Sequence, residues 1–305
     1  MKQHFLAFTF AVIATAAYAC DGVSVQSPAI VKETLCVPAA PERVVTMDPY
    51  YSLLMADELD LPVIGTALSG DSLPSQFDGY GEDPYAVGQS GSPYLESILA
   101  LKPYLIIGDA YSQAEIHDRL SEIAPTALVD TADWKEYLRA VALVAGKSDL
   151  ADEKLAAFEQ TVADTAAALP AGATVSFVRI VPGGFQVYVA GPSAYAPMSV
   201  LTEVGLKRPA FETVEDDTVL KRPTMEGLLE LQGDVLIYTI GGAHHEGDAK
   251  ALEAEVTSNP IWQALPAVQS GRAVRVEPTH WMGFGGLNSA YAIVDDIRRI
   301  FDVPE

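Results

Sequence analysis

The sequence predicts an α/β protein of two lobes with mainly parallel sheets, joined by one long α-helix and separated by a cleft. Three observations support this fold. Apolar strands alternate with helices along the chain, which favours parallel strand pairing with helices on the sheet faces. One helix–strand unit occurs twice, at 92–107 and at 222–237. Between the two copies, an uninterrupted helical pattern extends over about 21 residues.

The N-terminus has the pattern of a secretory signal peptide. Lys2 precedes an apolar run from Phe5 to Ala17, and residues 17–19 (Ala-Tyr-Ala) carry the small residues of a cleavage site. The apolar run is too short to span a bilayer comfortably. We therefore assign residues 1–19 to a signal peptide and expect an exported, soluble, periplasmic protein.

The chain contains two cysteines, Cys20 and Cys36. Cleavage after Ala19 leaves Cys20 as the first residue, where lipoproteins carry their lipid. Tyr18 is bulky, however, and the residues before Cys20 match a lipid-attachment signal poorly. We therefore favour a disulfide between Cys20 and Cys36, which compartments outside the cytoplasm permit and which would hold the N-terminal segment in place.

The predicted first lobe covers residues 20–147. Its apolar runs indicate the strands Val44–Met47, Pro62–Gly65, Tyr104–Ile107 and Pro125–Val129. Its periodic segments indicate the helices Tyr51–Leu59, Leu95–Leu101, His117–Ile123 and Trp134–Ala145. Residues 66–93 are rich in Gly, Ser, Pro, Asp and Tyr, which predicts a long surface connection.

The predicted connecting helix covers residues 148–170. Apolar residues recur at helical spacing from Leu150 to Leu169, and no glycine or proline interrupts the run. At about 1.5 Å per residue this helix spans roughly 30 Å, the width of a small domain. Pro170 and Gly172 end it, so we expect a rigid connector.

The predicted second lobe covers residues 171–305. The alternation resumes there with the strands Thr174–Val181, Gln186–Ala190, Val235–Tyr238 and Ala273–Val276. The helices are Ala196–Val204, Glu226–Leu231, Ala249–Glu255 and Leu287–Phe301. Residues 241–248 (GGAHHEGD) form a loop.

The repeated unit places a glutamate at the same position in both copies. The segments SPYLESILALKPYLII and RPTMEGLLELQGDVLI align with Pro93 on Pro223, Glu96 on Glu226, Leu99 on Leu229, Leu101 on Leu231 and Ile107 on Ile237. The alignment predicts that each lobe contains the same helix–strand unit.

The charge of the chain limits its partners. The formal net charge is −22, and removal of residues 1–19, which contain Lys2 and no acid, makes it −23. Nucleic acids and anionic membrane surfaces require clustered Lys and Arg, so the charge argues against both as partners.

Candidate ligand contacts follow from the strand order. Ligands of open α/β sheets bind at the carboxyl ends of the strands. The residues there are mainly aromatic with one strong cation, and the candidates are Tyr50, Tyr51, Tyr111, Arg179, Tyr195, Tyr238, His244 and Trp281. This set suits a bulky, partly planar, anionic ligand. An internal ion pair is the structural alternative for Arg179, and the charged candidates of the first lobe, Asp48 and Asp109, argue against a strongly anionic ligand.

Patterns for catalysis are weak. The chain has no Gly-x-Ser-x-Gly sequence and no phosphate-binding glycine loop with Lys. His244 and His245 are adjacent, but neighbouring residues usually point apart, whereas a metal site needs three or four converging ligands. We therefore predict no catalytic residue, no cofactor and no metal bound directly by protein side chains.

Several motifs resemble one known family, the helical-backbone substrate-binding proteins of ABC importers for ferric siderophores, haem and cobalamin. The resemblance covers nearly the whole chain after the signal peptide and is strongest for the iron–siderophore branch. It is carried by Pro41–Val45, Leu95–Ile107, Trp134 at the start of its helix, Asn259–Leu265, Ala267–Arg272 and Trp281 before a glycine-rich turn.

The resemblance implies a function and a partner. Members of this family bind an iron chelate in the periplasm, with the iron held by the chelator, and deliver it to the permease dimer of an ABC importer. It further implies that Glu96 and Glu226 dock onto arginines of the permease. The alternative is that both acids only stabilise helix N-termini. We expect a monomer.

Two other functions remain open from the sequence. Haem or cobalamin would also fit this family, with Tyr50, Tyr111, His244 or His280 as an axial haem ligand. A function of a different class is an exported α/β enzyme that uses Asp109, His280 or His245.

Overall fold

Two sheets and one long helix organise the chain, as the sequence predicts. The computed structural model describes residues 22–32, 34–77, 83–241 and 249–303. A six-stranded sheet forms the first lobe and a five-stranded sheet forms the second, and the 21-residue helix Ser148–Ala168 runs between them. The structure therefore has the two-lobe α/β architecture that the alternating pattern indicates.

The first lobe is built on a mainly parallel sheet. A hairpin of β1 (Val23–Gln26) and β2 (Thr34–Val37) precedes the sheet strands β3 (Val44–Thr46), β4 (Val63–Leu68), β5 (Tyr85–Gln89), β6 (Ser92–Pro93), β7 (Leu105–Asp109) and β8 (Thr126–Val129). Their order is β6-β5-β4-β3-β7-β8, and only β5 and β6 pair antiparallel. The helices are α1 (Tyr51–Glu58), α2 (Leu95–Leu101), α3 (Ala110–Gln113), α4 (His117–Ser121) and α5 (Trp134–Val144).

The connecting helix α6 (Ser148–Ala168) leads into the second lobe. Its sheet comprises β9 (Val175–Val181), β10 (Gly184–Tyr188), β11 (Leu220–Lys221), β12 (Val235–Ile240) and β13 (Ala273–Arg275). The order is β11-β10-β9-β12-β13, with β9, β12 and β13 parallel. The helices are α7 (Ala196–Glu203), α8 (Ala249–Thr257), α9 (Pro260–Gln263), α10 (Pro266–Gln269), α11 (Pro278–Met282) and α12 (Leu287–Ile300).

Two sequence predictions about local structure are wrong. The connection at 66–93 contains β5 and β6, which the sequence does not reveal because short strands among Gly, Pro and Ser show no clear alternation. The second copy of the repeated unit forms a 3₁₀ helix at Glu226–Glu230 in place of an α-helix. Gly227 lowers the helix propensity of this short segment, whereas the first copy has no glycine there.

Alternate strand residues face two different cores, as expected for sheets covered on both sides. Val45 and Ile106 belong to a core on one face of the first sheet, whereas Val44 and Leu105 face the other side. That second side is continuous with α6, α12 and one face of the second sheet, including Phe177. One apolar core therefore extends across both lobes and the connecting helix.

A buried carboxylate joins the two lobes at the start of α12. Glu58, the last residue of α1, is 7% exposed and accepts hydrogen bonds from the backbone N–H groups of Leu287 (3.0 Å) and Asn288 (2.7 Å). Gly286 precedes them with φ 125°, and a Cβ there would lie 2.6 Å from Glu58 Oε2. Burial is the main cause that raises the pKa of Glu58 from 4.5 to about 7.

The N-terminal predictions lie largely outside the described residues. This holds for the signal peptide at 1–19 and for Cys20, so the pairing of Cys20 with Cys36 stays a prediction. Within the described ranges, no free cysteine occurs, and no helix has both the length and the apolar character needed to cross a bilayer.

We expect Glu58→Gln to change how stability depends on pH. The folded protein retains a proton on Glu58 up to about pH 7, whereas the unfolded chain releases it near 4.5. Lowering the pH from 8 to 5 should therefore stabilise the wild type relative to Glu58→Gln. Thermal unfolding of both proteins across this range measures the difference. Glu42→Gln, which changes an exposed acid, is the control. An equal change of melting temperature with pH in the wild type and in Glu58→Gln would contradict the raised pKa of Glu58.

Candidate functional site

The carboxyl edges of the two sheets meet between the lobes, at the place where the sequence predicts the ligand cleft. Gln76, which follows β4, donates from Nε2 to the carbonyl oxygens of Thr279 and Gly283, both at 2.8 Å. Gly283 also lies against Tyr50, which follows β3, since a Cβ at this glycine would be 3.0 Å from the tyrosine ring. Residues after β3 and β4 therefore meet residues after β13, where ligands of open α/β sheets bind.

Asp48 positions two candidate tyrosines on the first wall of the cleft. Its Oδ1 accepts the N–H groups of Tyr50 (2.8 Å) and Tyr51 (3.1 Å), and its Oδ2 accepts that of Ser52 (2.8 Å). These donors belong to the start of α1, whose N–H groups have no partner within the helix. The carboxylate thus fixes the direction in which α1 leaves β3, and with it the placement of both tyrosines.

Aromatic side chains from both lobes pack together beneath the cleft, where Tyr137 and Phe284 are fully buried. The ring of Tyr51 lies 5.2 Å from that of Tyr137 and 6.1 Å from that of Phe284, measured between centroids. Tyr195 of the second lobe accepts the Phe284 N–H at 3.4 Å on its hydroxyl oxygen. Burial raises the pKa of Tyr51, Tyr137 and Tyr195, so these phenols stay protonated, and the Tyr137 hydroxyl donates to the carbonyl oxygen of Gly108 at 3.1 Å.

Arg179 on β9 provides the cation of the second wall. Its Nε donates to the carbonyl oxygen of Gly241, and its Nη1 donates to Gln186 Oε1 (3.2 Å) and to the Tyr188 hydroxyl (3.5 Å). All of these partners in the described part of the chain are uncharged. The half-buried guanidinium is held in a fixed orientation, and these contacts do not neutralise its charge.

Two carboxylates lie on the first wall, opposite Arg179. Asp109, the last residue of β7, accepts the Ser112 N–H at 3.1 Å. Burial, and secondly the nearby Asp48, raise the pKa of Asp109. Asp48 and Asp109 follow neighbouring strands, so the first wall carries negative charge and the second wall carries Arg179. Such a cleft can orient a ligand that has both anionic and neutral or cationic groups.

The structure brings four of the predicted contacts together, namely Tyr50, Tyr51, Arg179 and Tyr195. Tyr188 links two of them, because its hydroxyl accepts from Arg179 at 3.5 Å and its ring lies 5.2 Å from that of Tyr195. Three further residues of this cluster, Tyr137, Tyr188 and Phe284, were not predicted. In the sequence they look like ordinary core positions of a helix, a strand and a turn.

Two predicted contacts, Trp281 and Tyr238, pack into or against the core of the second lobe. Trp281 is fully buried, stacks on Phe177 at 5.3 Å, and donates from Nε1 to Asp296 Oδ2 at 2.8 Å. The hydroxyl of Tyr238 donates to Glu253 Oε1 at 2.9 Å, and its ring packs edge-on against Trp262. The structure does not place either side chain at the cleft surface.

The remaining predictions fall elsewhere. Tyr111 is 98% exposed and lines a groove of about 440 Å³ that also contains Glu96. His244 and His245 lie outside the described residues. His280 Nδ1 lies 3.3 Å from the buried Ser289 hydroxyl, and burial lowers the pKa of this histidine. No group of three or more His, Cys, Asp or Glu able to hold a metal occurs in the described ranges.

The duplicated unit has the same pattern of exposure in both lobes. Positions 92–107 and 222–237 agree in burial class at every aligned pair except Leu101 and Leu231. Glu96 lies in the first turn of α2, and Glu226 begins the 3₁₀ helix Glu226–Glu230. Both glutamates are exposed. The helix–strand unit predicted by the alignment is therefore present twice, with one exposed acid in each copy.

Comparison with known proteins identifies relatives over most of the chain. The family model of periplasmic binding proteins matches residues 60–279. The chain is 30% identical over 278 residues to the probable siderophore-binding lipoprotein YfiY of Bacillus subtilis, covering 87% of this chain and 84% of YfiY. It is 26% identical over 276 residues to the Fe(3+) dicitrate-binding periplasmic protein FecB of Escherichia coli, covering 88% and 87%.

Solved structures show the same fold. Staphylococcus aureus SirA in complex with staphyloferrin B superimposes with a TM-score of 0.80 at 24% identity, covering 92% of this chain and 99% of SirA. Bacillus subtilis FeuA in complex with ferri-bacillibactin gives a TM-score of 0.72 at 21% identity, covering 92% and 97%. At these identities the likeness establishes the fold, and the family rests on the sequence matches.

Proposed function

Since the chain belongs to the periplasmic binding protein family, we propose that it captures a ferric siderophore outside the cytoplasmic membrane and delivers it to an ABC importer. Arg179 carries this proposal. Its partners in the described residues are uncharged, and it lies beside Tyr188, whose ring packs against that of Tyr195. Relatives whose names state siderophore or ferric citrate binding support the assignment.

The chemistry of an iron chelate fits this cleft. In a ferric siderophore the chelator fills the coordination sites of the iron, so the protein binds the outside of a bulky complex. Arg179 can donate to anionic oxygens of the chelator, and such charge-assisted hydrogen bonds are stronger than neutral ones. The tyrosines supply flat apolar area with a donor at the tip. The acids Asp48 and Asp109 favour chelates whose opposite side is neutral or cationic.

We expect a ferric chelate to bind and Arg179→Gln to weaken it about tenfold or more, the usual cost of losing a hydrogen bond from a charged donor. Ferric citrate, hydroxamate and catecholate complexes should be titrated by calorimetry, with thermal stabilisation as a second measurement. Tyr238→Phe, which changes a hydroxyl away from the cleft surface, is the matched control. Failure of all three chelate classes to bind or to raise Tm would reject the proposed ligand.

We further propose that Glu96 and Glu226 dock the loaded protein onto the permease. The two lobes present equivalent acids, and a two-fold permease dimer offers two equivalent sets of basic groups. Hydrogen bonds from its own backbone N–H and from Thr224 lower the pKa of Glu226, so this acid is charged at neutral pH. We propose that one monomer makes both contacts.

We expect Glu96→Gln combined with Glu226→Gln to leave chelate affinity unchanged and to abolish transport. The change removes two ionic contacts to the importer and none in the cleft. Uptake of iron-55 by cells that carry only the variant measures transport, and calorimetry measures affinity. Glu42→Gln, an exposed acid outside the repeated unit, is the control. Transport at the wild-type rate would rule out the docking role.

We also propose export by the predicted signal peptide and a disulfide between Cys20 and Cys36. Lipoproteins occur among the relatives, and a lipid on Cys20 would exclude this bond. We expect the intact mass of the exported protein, measured without reductant, to be about 2 Da below that of the reduced chain, the two hydrogens lost in a disulfide. A mass increased by acyl chains would show the lipid instead.

A further inference from the structure

Each copy of the repeated unit exposes a large apolar side chain next to its glutamate. Leu99 is 59% exposed and Leu229 is 44% exposed, and they align with each other. Both are among the few large apolar side chains that the described residues expose to this extent. Single exposed leucines are common on protein surfaces, but this exposure recurs at equivalent positions of two lobes.

The backbone places each leucine beside the acid of its own copy. Leu99 follows Glu96 by three positions in α2, and residues three positions apart are neighbours on an α-helix. Leu229 likewise follows Glu226 by three positions in the 3₁₀ helix, where residues three positions apart lie one above the other. The two helix types therefore give the same result, an acid and a leucine adjacent on one exposed face.

Core packing does not account for these leucines. In both copies the residue just before the leucine, Ile98 or Leu228, is fully buried and anchors the helix to its sheet. The next apolar position, Leu101 or Leu231, is directed inward as well. The core contacts of each helix are therefore made by its other side chains, and the exposed leucine leaves apolar area open to solvent.

We propose that Leu99 and Leu229 are the apolar halves of two equivalent docking contacts, each covered by one subunit of the permease dimer when Glu96 and Glu226 bind it. This inference rests on the proposed delivery to an ABC importer. The acid supplies charge attraction at a distance, and the leucine supplies contact area that ions in solution do not screen. Two equivalent contacts, one on each lobe, match a partner with two-fold symmetry.

Titration of the labelled protein onto right-side-out membrane vesicles tests the proposal. The vesicles come from iron-starved cells of the source organism that lack their own copy of this protein. We expect Leu99→Ser with Leu229→Ser to raise Kd about tenfold or more for each leucine that becomes buried. The loss should be the same at low and at high salt, whereas the loss caused by Glu96→Gln with Glu226→Gln should shrink at high salt.

Matched variants separate docking from folding. Leu99→Met with Leu229→Met keeps the apolar area and should bind like the wild type. Tyr85→Ser with Val219→Ser removes exposed apolar side chains outside the repeated unit and should change nothing. Melting temperature and chelate affinity of the serine pair should equal those of the wild type, because neither leucine contributes to the core or the cleft.

The outcomes are distinct for the inference and for the proposed function. If the wild type binds the vesicles saturably and the variant Leu99→Ser with Leu229→Ser binds equally well, the leucines have no docking role, while delivery to an importer stands. If the wild type shows no saturable binding that depends on Glu96 and Glu226, the delivery function is rejected, and the docking leucines with it.

Discussion

The fixed spacing of the two cleft walls depends on the contact between Glu58 and the start of α12. A carboxylate of the first lobe satisfies two N–H groups of a helix in the second, at a place where only glycine fits before them. The apolar core continues through the same region, from the first sheet over α6 to α12. Separating the lobes would leave a buried acid and two amides without partners, which is costly.

With the walls held, short local interactions determine what each wall presents. On the first wall Asp48 binds the amides that begin α1 and thereby sets Tyr50 and Tyr51. On the second wall neutral oxygens orient Arg179. The cleft thus combines a preorganised cation with the tyrosines that pack beneath it, and little reorganisation is needed when a rigid chelate enters.

Sequence periodicity predicted the fold closely because long, regular elements carry strong patterns. The connecting helix and α2 appear almost where the spacing of apolar residues puts them. The site was harder to predict, since a residue after a strand can face the cleft or the core. Trp281 illustrates this, because its indole turns inward onto Phe177. Tyr137 illustrates the reverse, because its helical position indicates only packing, while its hydroxyl reaches the Gly108 carbonyl oxygen at the strand end.

The burial of every indole in this chain has a practical meaning for optical work. The three tryptophans, Trp134, Trp262 and Trp281, are each about 2% exposed or less. Their fluorescence emission consequently reports the interior of the lobes and the contact of α5 with α6 and Phe284. A chelate in the cleft therefore touches none of these indoles, and it can change their emission only through energy transfer to its own absorption bands or by disturbing that interior.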